Sequence, residues 1–175
     1  FKLWRRQAPS AFLYAVKFNR YGSHWTRLKN PRATIGKFLQ AAKKLDRSFG
    51  PILVQLPPHW SVNAERLDSF LRAAPPAHRW ALEFRDPSWL CAEVYEILKR
   101  HNAALCIHDM IPNHPRILTT DWTYLRYHGQ RYSGINVLML WAAAEERGYI
   151  HRTWMTYKQA AELGGQVRKG EKSTL

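Results

Sequence analysis

A chain of 175 residues fits a single domain, and its 46% hydrophobic and 13% aromatic content, with eight Trp, supplies a core and excludes global disorder. No apolar run approaches the roughly 20 residues of a membrane-spanning helix, and the opening Phe1-Lys2-Leu3-Trp4-Arg5-Arg6 lacks the apolar stretch of a secretory signal, so a cytoplasmic protein with no membrane partner is expected. The net charge of +14 is uneven: residues 1–50 hold 12 Lys and Arg against one acid, residues 51–146 hold 9 against 10, and residues 147–175 hold 6 against 2.

Short apolar runs alternate with amphipathic segments, the pattern of a parallel sheet covered by helices. Residues 12–17 read as the first strand. A loop with Gly22 follows, then Asn30 and Pro31 as N-cap and first position of a helix to about residue 48. Its stripe is Ile35, Phe38, Leu39, Ala42 and Leu45, and Gly50 is the expected stop. Residues 51–56 form the second strand, closed by Pro57 and Pro58. A helix over 62–74 buries Ala64, Leu67, Leu71 and Ala74, and Pro75 and Pro76 end that unit. The third strand spans 79–85, its helix 88–101, the fourth strand 103–109 and the fifth 122–128, with a loop rich in Pro and Asn over 110–121. The pattern over 138–146 predicts a further helix. With no hairpin signal, five strands joined by helices predict right-handed βαβ units.

Side chains alternate between the two faces of a strand, and this sorts the polar residues. Trp80, Leu82 and Phe84 suit the helix layer, with Phe38, Leu45 and Leu98 as further core; Ala81, Glu83 and Arg85 take the opposite face. The same division assigns Leu13, Ala15 and Lys17, then Leu53 and Gln55, then Leu105, Ile107 and Asp109, and last Tyr124, Arg126 and His128 to that opposite face. His108 falls on the helix side, and His24, His59 and His114 fall in loops. Each strand thus ends on a polar residue, and parallel strand ends converge on the rim where α/β folds place ligands. A structural ion-pair network is the competing reading of the same residues.

Four segments carry a resemblance: Tyr-Ala-Val-Lys at 14–17, Gly-Pro-Ile-Leu-Val-Gln-Leu-Pro-Pro at 50–58, Glu-Phe-Arg-Asp-Pro-Ser-Trp at 83–89 and Tyr-Leu-Arg-Tyr-His-Gly at 124–129. In order and spacing they resemble the domain-of-unknown-function-72, or YecE-like, family over residues 1–133. The resemblance implies a TIM-type β/α barrel whose third to seventh strands are these five, with two strands upstream. Residues from 135 onward depart from the family pattern. The expectation is therefore a partial barrel of doubtful closure over 1–146, with a divergent basic tail over 147–175, as in a gene fragment. The resemblance brings no reaction with it.

Two functional classes follow. In the first, the rim takes a small anionic ligand: Lys17, Gln55, Arg85 and Arg126 bind it, Glu83 or Asp109 serves as base, and His128 as acid/base. In the second, which is not favoured, the basic first 50 residues bind nucleic acid, with Trp4, Tyr21 and Trp25 stacking on bases. An inactive truncated product is the third possibility. Glu83, Asp109 and His128 form no dense ligand motif, so no metal is assigned, and the cofactor and oligomeric state stay open. Cys91 and Cys106 lack CxxC spacing and read as buried small hydrophobes. The absence of GxGxxG, GxxxxGK, GxSxG and HExxH removes the commonest nucleotide-binding, serine-hydrolase and zinc-protease readings.

Overall fold

A computed structural model describes residues 1–7 and 12–126. Its apolar runs form β1 (Tyr14–Lys17), β2 (Phe49–Gln55), β3 (Trp80–Glu83), β4 (Ala104–His108) and β5 (Tyr124–Arg126). All neighbours pair in parallel in the order β1-β2-β3-β4-β5, so the sheet follows chain order, as successive right-handed βαβ units require. It curls into a half-barrel with helices on its convex side. The chain divides into two compact units, Phe1–Tyr127 and His128–Leu175, and the described residues all belong to the first. The expected helix over 138–146, the tail boundary at 146 and His128 lie outside the described residues.

Helix α1 (Lys2–Gln7) was not expected from the sequence. Helices α2 (Pro31–Ala42), α3 (Ala64–Ala73) and α4 (Ala92–Arg100) link the strands. The expected long helix after Pro31 ends at Ala42 and continues as a 3-10 segment, Lys43–Ser48, broken at Asp46, whose φ is 51°. Gly50 therefore does not stop a helix. It lies within β2, where a Cβ would come 2.9 Å from the Tyr14 carbonyl oxygen of the neighbouring strand. Asn30 is left-handed (φ 50°) and its side chain caps nothing; the Thr34 hydroxyl donates to the Asn30 carbonyl instead. Asn63 is the cap that α3 uses, its side-chain oxygen accepting from the Arg66 N–H. Helix α4, expected from residue 88, starts late. Asp86 caps a short 3-10 turn, Pro87–Trp89, and α4 begins at Ala92.

The main core fills the space between sheet and helices. Trp80, Leu82, Phe84, Phe38, Leu45 and Leu98 are all buried there, with Ile52, Val54, Leu67, Phe70 and Trp89. Phe84 stacks on Trp89 at 5.1 Å, and Phe18 meets Phe38, Phe70 and Trp80 edge-on. A second cluster lies on the concave face: Leu53, Ala81, Ala104 and Cys106, with Trp122 and Tyr124 against it.

Register corrects one expectation. Leu82 pairs with Leu105 and both face the helices, so the fourth strand presents Ala104, Cys106 and His108 to the concave side, not Leu105, Ile107 and Asp109. The segment from residue 103 to 107 is apolar throughout, so alternation offered no frame there. Cys106 is fully buried, and burial pushes its thiol far up; Cys91 is half-buried against the main core.

Candidate functional site

Parallel pairing brings Lys17, Gln55, Glu83 and Arg126 to the same end of β1, β2, β3 and β5, since Lys17 pairs with Leu53 and Gln55 pairs with Glu83. At their centre the Glu83 side chain is 0% exposed. Its Oε1 accepts from Arg85 Nε and from Gln55 Nε2, both at 2.8 Å, and its Oε2 accepts from Arg126 at 2.6 Å. Lys17 Nζ donates to Gln55 Oε1 at 2.9 Å, which fixes the Gln55 amide with its NH2 towards Glu83. The network therefore runs across the sheet from β1 to β5. Five of the seven residues read from the sequence meet here: Lys17, Gln55, Glu83, Arg85 and Arg126. Asp109 does not share this arrangement by strand alternation. It follows the last residue of β4 and is exposed, while His108 takes the concave position that pairs with Arg126.

Charge at the rim is unbalanced. Burial pushes the Glu83 carboxyl up, but hydrogen bonds from Arg126, Arg85 and Gln55 and the Arg126 charge outweigh it, so the group is held below its ordinary value and stays ionised. Lys17 is lowered by desolvation and then by Arg126, Arg85 and Arg20, against the pull of Glu83. His24 is lowered by burial and by Lys17, Arg20 and Arg85, which favours neutral imidazole. Arg85 and Arg126 thus share one carboxylate, with Lys17 joined to it through Gln55 and Arg20 near Lys17.

Three histidines lie near this rim to which the sequence pattern assigns no role, since it sets His108 on the helix side and His24 and His114 in loops. His24 lies in a single π-helical turn, Tyr21–Trp25, that follows β1. His108 Nε2–H donates to the Phe84 carbonyl at 2.7 Å, and its Nδ1 accepts from the Met110 N–H at 3.2 Å. His114, in the loop after β4, packs on it with ring centroids 4.5 Å apart. That loop is tied down by Thr119, whose hydroxyl donates to the Ala103 carbonyl and accepts from the Leu105 N–H. The frame of β4 was the only signal that could have placed His108. Nothing local marks His114. Among the described residues no group of three or more His, Cys, Asp or Glu is arranged to hold a metal ion.

A half-barrel of parallel strands, helices outside and a charged network at the strands' C-terminal ends define the class as a β/α protein of TIM-barrel type. The family described as "Protein of unknown function DUF72" matches residues 1–171, and the chain belongs to it. Two solved DUF72 proteins share the fold. That of Thermotoga maritima aligns with a TM-score of 0.65 at 20% identity, over 94% of this chain and 75% of its own. That of Enterococcus faecalis aligns with a TM-score of 0.67 at 19% identity, over 97% and 82%. Two local likenesses are closer in sequence. A 44-residue stretch is 52% identical to the uncharacterised protein y4eC of Sinorhizobium fredii, and a 46-residue stretch is 54% identical to the DNA primase TraC of Escherichia coli. The chain spans only 14% and 4% of those proteins. No described helix is long and apolar enough to cross a membrane.

Proposed function

We propose that the rim binds a small anionic ligand, a carboxylate or phosphate, through Arg85 and Arg126, with Lys17 adding charge. The observation that carries this is the fully buried Glu83 held between two partly exposed guanidinium groups, whose side chains are 20% and 32% exposed. A guanidinium has five N–H donors, more than one carboxylate oxygen can take, and a braced arginine loses less freedom when it clamps an oxyanion. Glu83 serves in this reading as the brace rather than as a base, because a carboxylate with three donors and a lowered pKa accepts protons poorly at neutral pH. Gln55 transmits the brace to Lys17. Calorimetric titration with inorganic phosphate and with a small dicarboxylate tests the proposal. Binding is expected for one of them, with a loss of about tenfold or more in Arg126→Ala; equal affinity in that variant overturns it.

A second reading has its own support. Lys2, Arg5, Arg6, Lys44 and Arg47 line one groove of about 540 Å³, with Arg5 paired to Asp46 at 2.7 Å, and Trp25 is 73% exposed beside Tyr21. The local likeness to a DNA primase adds to it. A single-stranded nucleic acid on this surface would lose affinity steeply with added salt and be indifferent to Arg126→Ala, the reverse of the rim site.

A further inference from the structure

Three of the four ring nitrogens in the His108–His114 pair have partners. Both nitrogens of His108 are engaged, and His114 Nδ1 lies 3.0 Å from the Pro115 carbonyl oxygen, to which only an N–H can donate. The neutral His114 ring therefore carries its lone pair on Nε2. That atom is buried and has no hydrogen-bond partner among the described residues. The other buried polar side-chain atom in this condition, Thr123 Oγ1, sits one residue before β5, at the opposite end of the strand. His114 lies at the rim, packed on the residue that pairs with Arg126, and close enough to Glu83 for its charge to be felt. Burial, together with His108, holds the imidazole below its ordinary value against the Pro115 bond and Glu83, which keeps it an acceptor.

A buried acceptor at a ligand rim calls for a donor from the ligand. We infer that His114 reads the ligand: its Nε2 accepts a hydrogen bond from a hydroxyl on the anion clamped by Arg85 and Arg126, so the site selects an oxyanion that carries a proton over one that does not. This rests on the anion reading above. Hydrogen phosphate and sulfate separate the two claims, since at mildly alkaline pH both are dianions of similar size and only phosphate offers an O–H.

Calorimetry with these two ions, at matched ionic strength, is expected to show the wild-type chain binding phosphate about tenfold or more tighter than sulfate. His114→Phe should keep the sulfate affinity and lose the preference, and Arg126→Ala should weaken both ions. In the wild-type chain, the 15N resonance of His114 Nε2 should shift on adding phosphate and stay put with sulfate, a readout that does not depend on any variant folding. Equal binding of the two ions, or a preference that survives in His114→Phe, overturns the role of His114 and leaves the anion site standing. Failure of the wild-type chain to bind either ion removes the anion site, and this inference with it.

Discussion

Glu83 illustrates how a single residue is shaped by its neighbours. Alone in the core its charge would be strongly disfavoured; with Arg85, Arg126 and Gln55 donating to it, the ionised form is the stable one. Removing it leaves two arginines facing a cavity. Glu83→Ala is expected to lower stability by about 3 kcal/mol, measured by urea unfolding, because breaking a buried pair strands the partner charge. Its pH dependence follows from the direction of the shift. A carboxyl whose folded pKa is depressed contributes stability that is present above its unfolded value, about 4.3, and lost as pH falls through the folded one. Unfolding curves should therefore show stability decreasing below about pH 4, and Glu83→Gln should flatten that decrease. Asp68 adds in the same direction: its carboxyl is lowered first by the hydrogen bond with His101, with Arg72 and Arg100 contributing. A pH profile unchanged in Glu83→Gln would show that the network contributes nothing to acid stability.

Among the elements, β3 and the turn after it do the most to set the site. Trp80, Leu82 and Phe84 anchor one side of the strand in the main core, which leaves Glu83 no choice but the concave face. Phe84 is fully buried, stacked on Trp89, whose indole N–H donates to the Trp60 carbonyl. Phe84→Ala should cost about 3–5 kcal/mol and, by loosening β3, should weaken anion binding as well. A stability change near zero would mean that the strand is held by something other than this packing. The π-helical turn after β1 is as tightly constrained. A Cβ on Gly22 would lie 2.5 Å from Phe18 Cε1, so Gly22→Ala must displace a core ring and should lower the melting temperature. Asn63 gives the opposite kind of test: losing that cap should cost only about 1 kcal/mol, with the site unaffected.

For the molecule as a whole, the order of strands leaves β1 with one neighbour among the described residues. The Phe18 N–H donates to Leu53 across the β1–β2 seam, so the N–H groups of Ala15 and Lys17 point to the other edge. Ala15 is exposed, as are Phe12 and Leu13 just before it. A partly apolar edge that is unpaired among the described residues can recruit further strands, so sedimentation of this chain is expected to show concentration-dependent association. Ala15→Lys should reduce it by placing a charge at that edge. A monomer at all concentrations, in both forms, would show that the edge is covered within the chain.

Much of this architecture was written in the sequence. Five strands and the helices between them follow from apolar periodicity punctuated by Pro and Gly, and Lys17, Gln55, Glu83, Arg85 and Arg126 could be set on one face because the polar residues near the C-terminal end of each of their strands fix which positions share it. The resemblance to the DUF72 family was equally local, carried by short segments in order. Tertiary structure alone decided the rest. The fourth strand is apolar on both faces, so only its pairing with Leu82 showed that Cys106 and His108, not Asp109, line the concave side. The break of the long helix at Ala42 and Asp46 is marked by no Gly or Pro in residues 42–48, so the sequence offered no stop there. His114 is the clearest case. Its place comes from a loop tied down by Thr119 and a ring packed on His108, contacts between residues far apart in the chain or without periodicity, and no pattern of neighbouring residues encodes them.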